Sequence, residues 1–264
     1  MSSAVLDSAP SLGQPIGPLI REWRNRRRRS QLELSNESGI STRHLSFVET
    51  GRSRPSRDMV LRIADQLEVP LRERNTLLLA AGYAPAYDER TLEADDMSAI
   101  REALDLILTG YQPFPALVVD RDWNLVQAND AVTPLLADVA PELLEGPVNV
   151  LRLSLHPDGM SSRIINLAEW RGHLLDRLAR EHAVTGSART KALHDELLDY
   201  PGGITHAPPD GRIAVPMRLR TEAGELSFIS TVTTFGTAVD ISVAELTVEA
   251  FLPADAATAA ALRG

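Results

Sequence analysis

Residues 30–56, SQLELSNESGISTRHLSFVETGRSRPS, constrain this chain more than any other stretch. Ser30 and Glu33 stand at the S-x-x-E spacing of a capping box, which predicts a helix opening at Gln31. Leu34 is its apolar anchor, and Ser35 and Ser38 keep its inner face small. Gly39 follows, where a residue without a Cβ takes a positive φ at little strain. Ile40 turns inward and Ser41 caps a second helix. Leu45 and Val48, three apart, give that helix a core face, and Thr42, Arg43, Ser46 and Phe47 stand opposite. Gly51 ends it.

Two short helices joined by a glycine turn, the second polar on its outer face, form a device that fits the major groove. The stretch resembles the repressor-type (XRE) helix-turn-helix of phage regulators. The resemblance implies that Gln31 contacts a phosphate, that Gly39 is the turn glycine, and that Glu49-Thr50-Gly51 is the family's Glu-x-Gly ending. It further implies an ion pair between Glu49 and Arg24 of the preceding helix, and a fourth helix opening at Pro55-Ser56. Arg29 departs from the family, which usually carries leucine there.

Charge is divided along the chain in the same sense. The net charge is −9, yet residues 1–82 hold 13 Arg and no Lys against 9 Asp/Glu, a net of +4. Residues 83–264 hold 14 Lys/Arg against 27 Asp/Glu, a net of −13. A basic head on an acidic body indicates that the head alone meets a polyanion. At 264 residues two domains are expected. With no cysteine there is neither a disulfide framework nor a thiolate metal site. No apolar run reaches membrane-spanning length and no signal-peptide pattern opens the chain, so a cytoplasmic protein without membrane contact is expected.

Residues 1–15, rich in Ser, Pro, Gly and Ala, are expected to be disordered. A first helix is expected over Ile16–Arg28, with Leu19, Ile20, Trp23 and Arg27 on one face. Six arginines crowd its end, and they are either a solvated cluster complementing the helix dipole or clamps on phosphate. Arg52, Arg54 and Arg57 in the exit loop offer phosphate contacts that position a protein without reading sequence. Arg43 is the best base reader, because its guanidinium fork matches guanine O6 and N7. Phe47 either meets a thymine methyl or packs on the next helix; His44 is near a phosphate or solvated rather than a metal ligand. Ser41 and Thr42 complete the DNA-facing set. Ser56 caps a fourth helix carrying Met59, Val60, Ile63, Ala64 and Leu67, and Pro70 opens a fifth, Leu71–Ala81, closed by Gly82. Its Leu77-Leu78-Leu79 run serves the five-helix core, a dimer seam or a dock.

The domain plan is a helix-turn-helix domain at 16–82, a linker at 83–96, a PAS-like domain at 97–253 and a tail at 254–264. An amphipathic helix, Met97–Leu108, is followed by strands at Ala116–Val119 and Trp123–Ala128 around an Asp120-Arg121-Asp122 turn. Asn129 reads as the cap of a following helix. Residues 161–199 are expected to be helical, and Ile213–Arg220, Leu226–Thr234 and about Ala244 to Phe251 to be strands of a curved antiparallel sheet. The fold class is therefore an all-α five-helix head plus an α+β PAS-like body with helices over one face of its sheet.

This body resembles the ligand-binding domain of MmyB-like transcription regulators, through DRDWNLVQAND, LHPDGMSSRIINLAEWRGHLLDRL and ELSFISTVTTFGTAVDISVAELTVEAFLPAD. The resemblance implies a cavity for a small apolar or amphipathic molecule such as a fatty acid. Trp123, Trp170, Phe228 and Phe235 are candidate walls, or plain core, and Asn129, His156 and Arg171 candidate polar contacts. His156-Pro157-Asp158-Gly159 otherwise reads as a turn. His173 and His182 do not converge on a metal, no cofactor is indicated, and no nucleophile elbow, Gly-rich phosphate loop or carboxylate pair argues for an enzyme. The expectation is a homodimeric regulator on a double-stranded DNA operator. The alternative is a body that only dimerises or docks a protein partner.

Overall fold

The computed structural model describes residues 14–205, 214–222 and 224–263. The expected disorder at 1–13, the strand start at Ile213 and Ala223 of the turn lie outside the described residues. The chain divides into two compact units, the first running through Glu89 with Val239–Ile241 grouped to it, the second holding the rest.

The head is five helices: α1 Ile16–Arg26, α2 Gln31–Ser38, α3 Thr42–Glu49, α4 Arg57–Gln66 and α5 Leu71–Ala80. The capping box forms, the Glu33 amide donating to Ser30 Oγ at 3.2 Å and the Ser30 amide to Glu33 Oε2 at 2.7 Å. Gly39 turns the chain at φ 66°. Ile20, Leu34, Leu45, Val48, Val60 and Ile63 are fully buried together, each contributing about 1.5–3 kcal/mol by leaving water. Gly17 permits α1 to approach α3 closely: a Cβ there would lie 2.5 Å from the Val48 carbonyl oxygen.

α1 stops at Arg26, two residues short of expectation, with Arg28 at φ 55° in the turn that follows. Pro70 occupies the cap of α5 rather than its first turn. Of the leucine run, Leu77 and Leu78 enter the core and Leu79 is 47% exposed. Residues 83–89, expected as linker, lie on the head: Asn75 Oδ1 accepts from the Ala86 and Tyr87 amides, and the Tyr83 hydroxyl donates to the Pro55 carbonyl at 3.0 Å.

The body is built on a five-stranded antiparallel sheet in the order β2-β1-β5-β4-β3. Its strands are β1 Ala116–Val119, β2 Leu125–Ala128, β3 Met217–Thr221, β4 Gly224–Thr234 and β5 Thr247–Pro253. The last strand therefore lies in the centre of the sheet. Helices are α6 Ser98–Gly110, α7 Val150–Leu155, α8 Leu167–Thr185, α9 Ala188–Leu198, the short α10 Ile241–Ala244 and α11 Ala256–Arg263, the last occupying the expected tail.

Both faces of the sheet are covered, where one was expected. Leu104 and Leu108 of α6 pack with Ala116, Val118, Val248 and Ala250. On the opposite face Leu117 and Val119 join Trp170, Leu174, Leu178 and Leu197 in the larger core. Strict alternation divides β5 between the two, Val248 and Ala250 one way and Glu249 and Phe251 the other. The unbroken apolar run of β1 follows from burial on both sides.

Candidate DNA-reading surface and ligand cavity

α3 is held at both ends. Ser41 Oγ accepts from the His44 amide at 3.2 Å. At the other end Glu49, 6% exposed, takes Arg24 Nε on Oε1 at 2.7 Å and Arg24 Nη2 on Oε2 at 3.0 Å. Arg24 Nη1 also donates to the Arg29 carbonyl, and Gln31 Nε2 to Glu49 Oε2 at 2.8 Å. Gln31 is thereby fixed, with one of its two amide hydrogens used. The pair that resemblance implied is a four-group cluster joining α1, α2 and α3.

With Leu45 and Val48 buried, Arg43 is exposed on the opposite face of α3 and Phe47 is half-buried. The Arg43 guanidinium lies 5.3 Å and the Arg52 guanidinium 6.0 Å from the Phe47 ring centre. Phe47 thus sits between two cations beside the head's core rather than inside it. Arg57 is exposed in the first turn of α4, and His44 is half-buried.

Two of the expected DNA contacts, Thr42 and Arg54, have hydrogen-bond partners within the head. Thr42 shares a 2.8 Å hydrogen bond with Ser35, so its hydroxyl joins α2 to α3. Arg54 donates through Nε and Nη2 to the Ala81 carbonyl at 2.9 and 2.7 Å, closing the C-terminus of α5 and crossing the Tyr83 ring. The arginine cluster is largely structural as well. Arg26 pairs with Glu22, Arg29 with Glu37, and Arg27 donates to the carbonyls of Leu67 and Glu68 past the end of α4.

The body holds a cavity of about 60 Å³. Its walls are almost wholly apolar, with Leu117, Val132, Leu151, Leu153, Leu174 and Phe251 among them. Trp170 lines it and donates Nε1 to Ser154 Oγ at 3.0 Å, and Ser154 and Glu249 are the polar side chains on the wall besides that indole. Glu249, 3% exposed, accepts from Arg177 Nη1 at 3.0 Å and from the Ser230 hydroxyl. The Arg177 guanidinium lies 4.2 Å over the Trp123 ring, and Trp123 Nε1 donates to Glu181 Oε2 at 3.1 Å. Burial pushes the Glu181 carboxyl above its ordinary range, against the lowering effect of Trp123 and Arg177. His173 stacks on Trp170 with ring centres 5.4 Å apart; burial first, then Arg177 and Arg180, holds its imidazole below the ordinary value.

Of the seven expected ligand residues, Trp170 lines this cavity and six lie elsewhere. Asn129 stands at the cap position of the 3-10 helix Asp130–Leu136, as expected, but its side chain neither caps that helix nor lines the cavity: Oδ1 accepts from the Ala116 amide and Nδ2 donates to the Leu108 and Phe114 carbonyls, tying α6 to β1. Arg171, 3% exposed, donates to the carbonyls of Leu197, Leu198 and Gly203 at the end of α9. His156 meets the Tyr200 ring edge-on, and its Nδ1 accepts from the Asp158 amide within the turn. Tyr200, pushed up to about 12 by burial and by its bond to Glu196, remains a donor. Phe228 is core behind Phe251, Phe235 packs on the opposite face of the sheet, and Trp123 is held in the Arg177–Glu181 layer at φ 67°. A non-glycine residue in that region stores strain.

Glu249 is the residue the sequence reading missed. In T-V-E-A-F-L the alternation places Glu249 on the same face as Phe251, an acid aimed into apolar surroundings. Among the described residues no group of three or more His, Cys, Asp and Glu could hold a metal ion, and no helix is long and apolar enough to cross a membrane.

The family model described as MmyB-like transcription regulator ligand binding domain matches residues 100–264, and a helix-turn-helix model matches residues 20–74. A solved structure described as a SinR protein/SinI protein complex is 24% identical, with 37% of this chain and 84% of that one covered at a TM-score of 0.22. No curated protein matches.

Proposed function

Since this chain belongs to the MmyB-like transcription regulators over more than half its length, with a helix-turn-helix ahead of that domain, we propose that it is a DNA-binding transcription regulator whose operator affinity responds to a small apolar or amphipathic molecule held in the body. Fatty acids are the first class to try, on resemblance. The observation that carries the reading is an apolar cavity in the domain that belongs to the ligand-binding family.

In this reading α3 enters the major groove, Arg43 reads a guanine edge, and Arg52 and Arg57 contact phosphates. Two copies place two such helices about 34 Å apart, one turn of duplex. Ligand changes operator affinity only as far as it binds the DNA-competent and DNA-incompetent states differently. The test is a footprint of the full-length protein to find the operator, followed by gel retardation on it with and without extracted lipid. The expected result is a bound operator whose affinity changes with extract. Loss of retardation at low salt in every condition overturns the DNA reading, and an affinity and melting temperature indifferent to every extract overturn the sensing reading.

A further inference from the structure

Resting on the DNA reading above, we infer that Phe47 is a specificity-determining residue. With Arg43 it reads one step of the operator: a guanine beside a pyrimidine that carries a C5-methyl group, thymine or 5-methylcytosine. The placement of Phe47 gives the first reason. It follows Arg43 by one turn of α3, half-buried beside the head's core rather than inside it. Two guanidinium groups flank it, Arg43 at 5.3 Å and Arg52 at 6.0 Å from the ring centre, and their attraction to the ring biases all three groups towards one arrangement. The hydroxyls at the start of α3 are engaged within the head, Ser41 Oγ accepting from the His44 amide and Thr42 bonding Ser35. Arg43 and Phe47 thus stand together as a strong donor and a broad apolar surface.

The chemistry of the groove gives the second reason. A phenyl ring neither donates nor accepts a conventional hydrogen bond, and the apolar group that the base edges present in the major groove is the thymine C5-methyl. Cytosine sets a hydrogen in that place and an N4 amino donor beside it, which a ring strips of water without offering a partner. 5-Methylcytosine restores the methyl. Distance gives the third. Arg43 on guanine O6 and N7 lies near the plane of that base, and the guanine's own partner is cytosine, so the methyl belongs to another pair. Successive pairs lie about 3.4 Å apart, and with 5.3 Å between ring and guanidinium the neighbouring pair is the one in reach.

The experiment is gel retardation of the full-length protein on the footprinted operator. The guanine is located first, as the one whose replacement by 7-deazaguanine weakens the wild type and not Arg43→Ala. Each neighbouring thymine is then replaced by uracil, which differs by the methyl alone. One replacement in each half-site is expected to weaken wild-type binding about fourfold, the worth of one buried carbon, and to leave Phe47→Ala indifferent. Where the step is remade with cytosine beside the guanine, C5-methylation of that cytosine is expected to recover the same factor. Phe47→Ala is expected to melt as the wild type does; if it does not, the uracil and 5-methylcytosine results on the wild type decide alone. An operator that is bound but holds no such guanine, or no uracil-sensitive position beside it, overturns the inference and leaves DNA binding standing. So does a uracil effect that persists in Phe47→Ala, because another side chain then meets the methyl. Absence of retardation at low salt in every condition overturns the DNA reading itself, and the inference with it.

Discussion

The head and the body each bury an arginine–glutamate pair, and the surroundings of the two pairs differ. Arg24 and Glu49 meet through two hydrogen bonds at 2.7 and 3.0 Å, with Gln31 and the Arg29 carbonyl taking further capacity. This pair and its partners lie on α1, α2 and α3 and in the turn between the first two. Arg177 meets Glu249 through one nitrogen at 3.0 Å, with an indole on one side and a cavity wall on the other. The first pair locks three helices into one arrangement. The second offers a charged group to a space that something else can fill. A buried ion pair is weak evidence for stability in itself, so its surroundings decide what it is for.

The largest effect that separates the two is on folding. Glu49→Ala strands a guanidinium in a closed helical interface and is expected to cost about 3–5 kcal/mol, read by denaturant unfolding of the full-length protein. Glu249→Ala leaves Arg177 its contact with the Trp123 ring, and its side chain is more open, 19% exposed against 11% for Arg24. Its cost is expected nearer about 1–3 kcal/mol. Equal losses would make both pairs plain staples and remove the contrast.

The two pairs also differ in how far the sequence reveals them. The head is written in local signals: the Ser30/Glu33 box, Gly39, and the i, i+3 spacing of Leu45 and Val48 each fix one element within a few residues of themselves. Arg24–Glu49 was reachable because the motif constrains both ends. The close approach at Gly17 was not, because its cause is the backbone of α3, some thirty residues away. The body's strands and helices could be read from periodicity, but its cavity depends on which apolar side chains fail to meet, and pattern alone carries no such information. Asn129 and Arg171 are candidate polar contacts for a ligand when read from the sequence. Both turned out to satisfy carbonyls at helix ends, the commoner reason for burying a donor. Glu249 was legible in the alternation of β5 and was passed over.

On the head the next effect is on reading. If Arg43 meets a guanine edge as proposed, Arg43→Ala removes about 1–3 kcal/mol of discrimination. Competition between operator and random duplex is the measurement. Equal losses on both duplexes would place Arg43 on phosphate instead. Phe47→Leu removes the ring between Arg43 and Arg52 and is expected to lower operator affinity without altering the melting temperature, since Phe47 stands outside the core.

A single methylene compares the two interiors directly. Val48 is fully buried where α3 meets α1, so Val48→Ile overpacks a filled core and is expected to cost about 1–3 kcal/mol. Val132 lines the cavity, and Val132→Ile has room for its extra carbon. Its stability should change by less than about 0.5 kcal/mol. A Val132→Ile loss as large as that of Val48→Ile would mean the space is not available.

The smallest effect tests the outermost charge. Arg52 is exposed and touches only the Phe47 ring among the contacts described, so its removal should leave the fold unchanged. Each phosphate neutralised releases condensed counterions, and the logarithm of the binding constant falls with the logarithm of salt by about 0.9 per phosphate. Arg52→Ala should therefore flatten that slope by about one unit, equally on operator and random duplex. Arg54→Ala is the control, because its guanidinium already closes α5 through the Ala81 carbonyl. That variant should lose melting temperature and keep the slope. If Arg54→Ala instead flattens the slope and melts like wild type, its bond to Ala81 gives way to phosphate on the duplex, and the division between structural and DNA-facing arginines in this head has to be redrawn.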